Sequence, residues 1–202
     1  MKQRDLGERM AQITAGCRLS ALPADQLDAR HHAAIERLRL IYDYPEGLPL
    51  DPFYAVLAHS PEFFASYMDL GVAITAASAL PARWRELLIL RTGWLCGAPY
   101  QWGEHVISAR SLGIDATDVE RITLGSNAPG WNAEDEAILR AAEELHADAM
   151  IGEDTWSALA VFLDERQLLE LPMIVGHYHT TAFVQNALRI SLTAHNRGLT
   201  AV

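Results

Sequence analysis

Apolar side chains recur every three to four positions along nearly the whole chain, and no run alternates cleanly with period two. That pattern predicts an all-α protein, a single-domain helical bundle. Residues 25–41 carry Leu27, Ile35, Leu38 and Ile41 on one helical stripe among Asp, Arg and His. The segment YPEGLPLDPF (44–53) concentrates proline and glycine and predicts a loop. Ser60 followed by Pro61 predicts an N-cap and a first helical residue, opening a helix through Phe63, Phe64 and Tyr67.

Ala79-Leu80-Pro81 opens the next helix, whose run WRELLILRTGWLC extends from Trp84 to Cys96. Gly97-Ala98-Pro99 stops it, because proline disfavours helical geometry at the residue before it yet suits a first turn. The helix that follows, YQWGEHVISARSL, ends at Gly113. Thr117 with Glu120 predicts a capping box for a short helix ending near Gly125. Asn132 ahead of Glu134, Asp135 and Glu136 opens a helix to about Met150, and another begins near Asp154. Asp164 with Gln167 caps a long pattern from Glu165 to about Leu192, in which Pro172 is expected to kink or split the helix. No fixed-period repeat stands out. Residues 1–45 read as an N-terminal arm or helix, and 46–202 as the helical domain.

Composition narrows the chemistry. At 202 residues and a formal net charge of −10, the chain is long enough for one sizeable core, and its acidity argues against nucleic acid or an anionic membrane surface as partner. Lys2 is the single lysine, so neither a Schiff base from a positioned lysine nor a Walker A loop is expected. Cys17 and Cys96 lie far apart with no CxxC, which speaks against a zinc knuckle or a disulfide framework. No signal-peptide run and no apolar stretch of ~18 residues occurs, so the expectation is a cytoplasmic protein with reduced thiols. GxSxG and GxGxxG are both absent.

Glu86 is the first unusual residue. Its helical face includes Ile89, Leu90 and Gly93, on a helix apolar nearly all round, and such helices are buried. A carboxylate there must be paired or protonated, and desolvation raises its pKa toward the range useful for proton transfer. The plainer reading is a helix-start glutamate held by backbone amides or by Arg83, Arg85 or a distant arginine. His105 is the second, on a stripe with Trp102, Ala109 and Leu112, where a hydrogen-bonded core histidine is the plainer reading. Consecutive helices joined by a tight Gly-Ala-Pro turn can bring the two together as an acid/base couple. No two histidines are spaced i, i+3 or i, i+4, so no metal and no cofactor is expected. His177 and His179 point about 200° apart on a regular helix, so one is expected to line a pocket and the other to face solvent or a subunit contact. Cys96, ending an apolar helix, reads as a small core residue.

The stretch ARWRELLILRTGWLCGAPYQWGEHVISARSLGI (82–114) resembles the carboxymuconolactone decarboxylase-like family, which also contains alkylhydroperoxidase D (AhpD)-like proteins. The likeness rests on Arg-Glu-Leu…Leu-Arg…Tyr-x-Trp-x-x-His, extends through LDERQLLELPMIVGHYHTTAFVQNALRI (163–190), and covers roughly residues 48–195. It implies an all-helical fold assembled as a homo-oligomer, commonly a trimer or hexamer. The peroxidase branch has Glu, eleven residues, Cys-x-x-Cys, three residues, His; counting from Glu86 places Ala98 and Gln101 at the two thiols and His105 at the histidine. Thiol peroxidase chemistry needs both a nucleophilic and a resolving thiol. The resemblance therefore implies the decarboxylase branch, a lyase or isomerase acting on a small unsaturated lactone or carboxylic acid in aromatic-compound catabolism. Its expected site has His105 as proton donor, Glu86 as its orienter, and Tyr100 and Trp102 as pocket walls. Arg91 is a candidate for holding a carboxylate, and His177 or His179 for completing the site. The competing readings are an alkylhydroperoxidase and a non-catalytic oligomeric binding protein.

Overall fold

The computed structural model describes residues 5–42 and 49–202, and it is helical throughout, with no strand among the described residues. Lys2, half of the expected loop at 44–53 and the expected boundary at 45/46 lie outside the described residues, and a helix already begins at Pro52. In chain order the helices are α1 (Leu6–Thr14), α2 (Ala29–Tyr42), α3 (Pro52–Leu57), α4 (Pro61–Val72), α5 (Ala82–Leu95), α6 (Pro99–Ala109), α7 (Ala116–Leu124), α8 (Ala133–Asp148), α9 (Glu153–Leu159) and α10 (Glu165–Leu188). A π-helical turn, Ala73–Ala77, continues α4.

The core is built around α5. Leu87, Leu88, Ile89 and Leu90 are all buried, as a helix without a polar face requires. α8 covers one side with Ile138, Leu139, Ala141 and Ala142, while α10 covers another with Leu171, Ile174, Val175 and Tyr178. α6 returns along α5 after the turn at Gly97, and Trp102 from α6 joins the same core. A separate cluster forms where α2 meets α4, through Ala34, Ile35 and Leu38 against Phe64 and Met68.

The punctuation follows the sequence at most ends. Ser60-Pro61 opens α4, although the Ser60 side chain makes no capping bond. Asn132 accepts from the Asp135 amide at 2.6 Å, and Asp164 with Gln167 forms a complete capping box on α10. α7 differs from expectation. Its cap is Asp115, whose Oδ1 accepts from the Asp118 amide at 2.9 Å, and Thr117 already lies in the first turn. Pro172 does not split α10, which runs unbroken through it and stops at Leu188 rather than near Leu192. Proline there removes one backbone donor, but burial of Leu171, Ile174 and Val175 against the core holds both flanking turns in one helix. No helix among the described residues is long and apolar enough to cross a membrane.

Because α5 is enclosed on all sides, its core positions tolerate no vacancy. Leu88→Ala is expected to lower the unfolding free energy by about 2–5 kcal/mol in chemical denaturation. Leu124→Ala, at a residue 71% exposed at the end of α7, is expected to change it by less than ~0.5 kcal/mol. Equal effects at the two positions would contradict this packing.

Candidate active site

Glu86 sits one turn into α5 and His105 midway along α6. The turn at Gly97-Ala98 makes the helices neighbours, and His105 Nδ1 lies 2.7 Å from Glu86 Oε1. The glutamate side chain is 7% exposed and the imidazole 19%, so the carboxylate is nearly buried and the ring is the more accessible of the two. Tyr178 of α10 presents its ring edge-on to the imidazole at 5.2 Å. Sequence reasoning singled out the two flanking histidines and missed this tyrosine between them; the signal available was its place on the same apolar stripe of α10 as Ile174 and Val175.

Two cavities of about 180 Å³ each adjoin the pair, below the ~300–1,000 Å³ of sites for drug-sized ligands. Both have His105, Ser108 and Tyr178 in their walls. The first is aromatic and polar, walled by Phe53, Tyr67 and Tyr100 together with Gln101, Glu104 and Gln185. Gln101 donates its amide to the Ile89 carbonyl, and the side-chain oxygens of Gln101 and Gln185 are buried with no hydrogen-bond partner among the described residues. Such acceptors are costly unless a water or a ligand donor meets them. Glu104 is engaged by Thr193 and Asn196 of the C-terminal segment. That segment approaches α6 so closely that a Cβ on Gly103 would lie 1.8 Å from Asn196 Oδ1. The second cavity is walled by Glu86 and Arg85 with Ile74, Ile89 and Leu112.

The remaining expected residues divide. Tyr100 does wall the first cavity, packing on Phe53. Trp102 does not. It is fully buried, stacks on Trp94 and donates to the Ala201 carbonyl at 3.0 Å, because its side of α6 faces the core rather than the cavities. Arg91 is likewise outside both cavities. Its Nε donates to Glu143 Oε1 at 2.9 Å and its Nη1 to the carbonyls of Ile122 and Thr123, which ties α5 to α8 and to the end of α7. Gly125 makes room for this, since its φ of 101° and a 2.5 Å approach of Arg91 Nη2 to a would-be Cβ exclude a side chain. Arg85, one residue before Glu86, is the arginine that borders the pair.

His177 and His179 point to different sides, as their spacing requires. His177 is buried, stacks near Tyr67 at 4.5 Å and lines a further cavity of about 700 Å³ with Phe63, Leu70 and Met173. Burial, reinforced by the charge on His105, pushes its pKa down to about 4. His179 joins a group that leaves no local sign along the chain. Its Nε2 lies 2.9 Å from His146 Nδ1 on α8, and Cys96 Sγ lies 4.0 Å from the same His146 nitrogen. Cys96 is therefore a buried residue on the edge of a cysteine–histidine cluster, away from the cavities beside His105.

The profile of the carboxymuconolactone decarboxylase family matches residues 61–144, which span α4 through most of α8 and contain both Glu86 and His105. Solved structures extend the likeness. An uncharacterized peroxidase-related protein from Silicibacter sp. TM1040 superposes with a TM-score of 0.73 at 17% identity, covering 90% of this chain and 94% of the other. A cysteine-to-alanine variant of the debrominase Bmp8 in complex with 2,3,4-tribromopyrrole gives 0.72 at 14% identity, covering 90% and 96%. A protein of unknown function from Agrobacterium tumefaciens, a putative antioxidant defence protein AhpD, gives 0.64 at 18% identity, covering 69% and 96%. At these identities the structures speak to fold alone. No curated protein matches the chain. Residues 61–144 are thus similar to the carboxymuconolactone decarboxylase family, and the chain shares its all-helical fold with these AhpD-like structures.

Two outcomes follow from these placements. Arg91→Met removes the cation that pairs with Glu143, which keeps its bonds from Ser126, and the donor to two carbonyls, so it is expected to cost on the order of 3 kcal/mol in urea denaturation; an unchanged midpoint would refute the structural assignment. His177 is neutral in the fold at pH values where an unfolded histidine, near 6.5, takes a proton. Its contribution is thus full above pH ~6.5 and is lost as pH falls toward about 4, by on the order of 3 kcal/mol. Stability of His177→Phe is expected to fall less steeply across that window than that of the wild type, and parallel curves would exclude this account.

Proposed function

We propose that the protein is an acid/base lyase or isomerase acting on a small unsaturated lactone or carboxylic acid, with Glu86 and His105 as the working pair. The observation that carries this reading is the 2.7 Å contact between a nearly buried carboxylate and an imidazole that borders both cavities. Glu86 fixes the ring through Nδ1, which leaves Nε2 for the substrate. Arg85 takes the carboxylate-holding role first expected of Arg91. The unpartnered oxygens of Gln101 and Gln185 suit a hydroxyl or ring donor on the same substrate. In a decarboxylation, the bond to the carboxyl carbon breaks, its electron pair enters the conjugated system as a dienolate, and CO₂ leaves. The imidazolium of His105 then protonates the carbon left behind and recovers its own proton from solvent.

The names of the structural neighbours include antioxidant and peroxidase-related proteins, so thiol chemistry is the competing reading. Against it, Ala98 and Gln101 hold no sulfur at the spacing where such chemistry would act. Cys17 donates to the Leu188 carbonyl at 3.3 Å, and Cys96 faces His146, so neither thiol borders the pair.

The test is a turnover screen of lactone carboxylic acids and β-keto acids, read by CO₂ release and ultraviolet absorbance. His105→Ala and Glu86→Gln are each expected to lower kcat/KM by about 10²–10⁴. The wild type is expected to consume no hydroperoxide in the presence of a dithiol reductant. Hydroperoxide turnover above background, or full activity in His105→Ala, would reverse the assignment. A lowered melting temperature in His105→Ala, with no activity in any form of the protein, would make the pair structural.

A further inference from the structure

Three helices meet at Cys96, His146 and His179. Cys96 ends α5, His146 lies in the last turn of α8, and His179 is midway along α10. One ligand atom from each lies within 4.8 Å of the other two. The cysteine is buried and the two imidazoles are half-buried, so the sulfur is shielded while the nitrogens remain reachable. We propose that this cluster is a binding site for a divalent zinc-type ion, separate from the Glu86–His105 pair and independent of the acid/base reading.

The donor set fits. One thiolate and two neutral imidazoles are the ligands that a borderline-soft, tetrahedral cation takes. Bond lengths of ~2.0–2.1 Å to nitrogen and ~2.3 Å to sulfur place tetrahedral ligand atoms about 3.3 Å apart for two nitrogens and about 3.6 Å apart for nitrogen and sulfur. The observed separations are 2.9 Å between His146 Nδ1 and His179 Nε2, and 4.0 Å between His146 Nδ1 and Cys96 Sγ. The third pair, Cys96 Sγ and His179 Nε2, lies within 4.8 Å, so closing the three ligands onto one ion takes side-chain rotation of up to about an ångström. With three protein ligands, the fourth position belongs to water or a small ligand.

The surroundings hold the ligands in the orientation a metal needs. His179 Nδ1 donates to the Val175 carbonyl at 2.9 Å, which puts its proton there and leaves the Nε2 lone pair for coordination. Asn186, seven residues further along the same face of α10, donates to the Cys96 carbonyl at 3.1 Å and fixes the end of α5 against α10. Phe183 packs edge-on to the His179 ring and limits its swing. In the metal-free protein the 2.9 Å contact is an imidazole–imidazole hydrogen bond, with a proton on His146 Nδ1. Binding moves that proton to His146 Nε2 and releases the thiol proton of Cys96 to solvent, so one proton leaves for each ion bound.

The probe is Co²⁺, titrated into tag-free, chelator-treated full-length protein. One equivalent is expected to produce visible bands of tetrahedral intensity together with a near-ultraviolet thiolate-to-cobalt charge-transfer band, and one equivalent of Zn²⁺ should erase both. Cys96→Ser is expected to lose the charge-transfer band, and His179→Gln to weaken Co²⁺ binding at least tenfold. His105→Ala should retain the full spectrum, which distinguishes this site from one at the acid/base pair. If circular dichroism shows that Cys96→Ser does not fold, His146→Gln takes its place, with the same loss of tetrahedral bands expected. Absence of a charge-transfer band in the wild type would overturn the proposal, as would its survival in Cys96→Ser or the survival of the tetrahedral bands in His146→Gln.

Discussion

The desolvation of α5 is the constraint on which the rest depends. A helix with apolar residues on every side is enclosed by its neighbours, and each charged group it carries must then find a partner in a fixed direction. Glu86 finds His105 on α6, and Arg91 finds Glu143 on α8 and the last carbonyls of α7. Near its start, Arg83 reaches Asp118 and Asp135, and at its end the Cys96 carbonyl accepts from Asn186 of α10. These contacts orient four surrounding helices. The candidate site is one of them, distinguished by the solvent-accessible edge of the imidazole and by the cavities next to it.

Local signals carried most of the architecture. Helical periodicity, the Gly97-Ala98-Pro99 stop and the caps at Asn132 and Asp164 depend on neighbours in sequence, and the chain states them directly. The Glu86–His105 contact was legible for the same reason, since a short turn between two helices leaves little freedom in how they pair. Asp115 in place of Thr117 is a shift of two residues between two competent capping groups, a choice that packing of α7 settles.

What could not be read was direction around a buried helix. Trp102 and His105 lie three residues apart on α6, close enough to share a stripe, yet one is in the core and the other at the cavities. Arg91 and Arg85 differ in the same way on α5: Arg91 is tied to α7 and α8, while Arg85 donates to the Leu80 carbonyl beside the second cavity. The Cys96–His146–His179 cluster is the extreme case. Its members are 50 and 33 residues apart and come from three helices, so no spacing rule within one helix detects it.

Gln101 carries one last consequence. Its amide is bonded to the Ile89 carbonyl, bridging α6 to α5 across the turn that sets the separation of Glu86 and His105. A carboxamide has no second oxidation state, and Ala98 offers none either. The α5–α6 connection therefore cannot toggle between dithiol and disulfide. The spacing of the acid/base pair is held there by an amide hydrogen bond in place of a reducible sulfur–sulfur link.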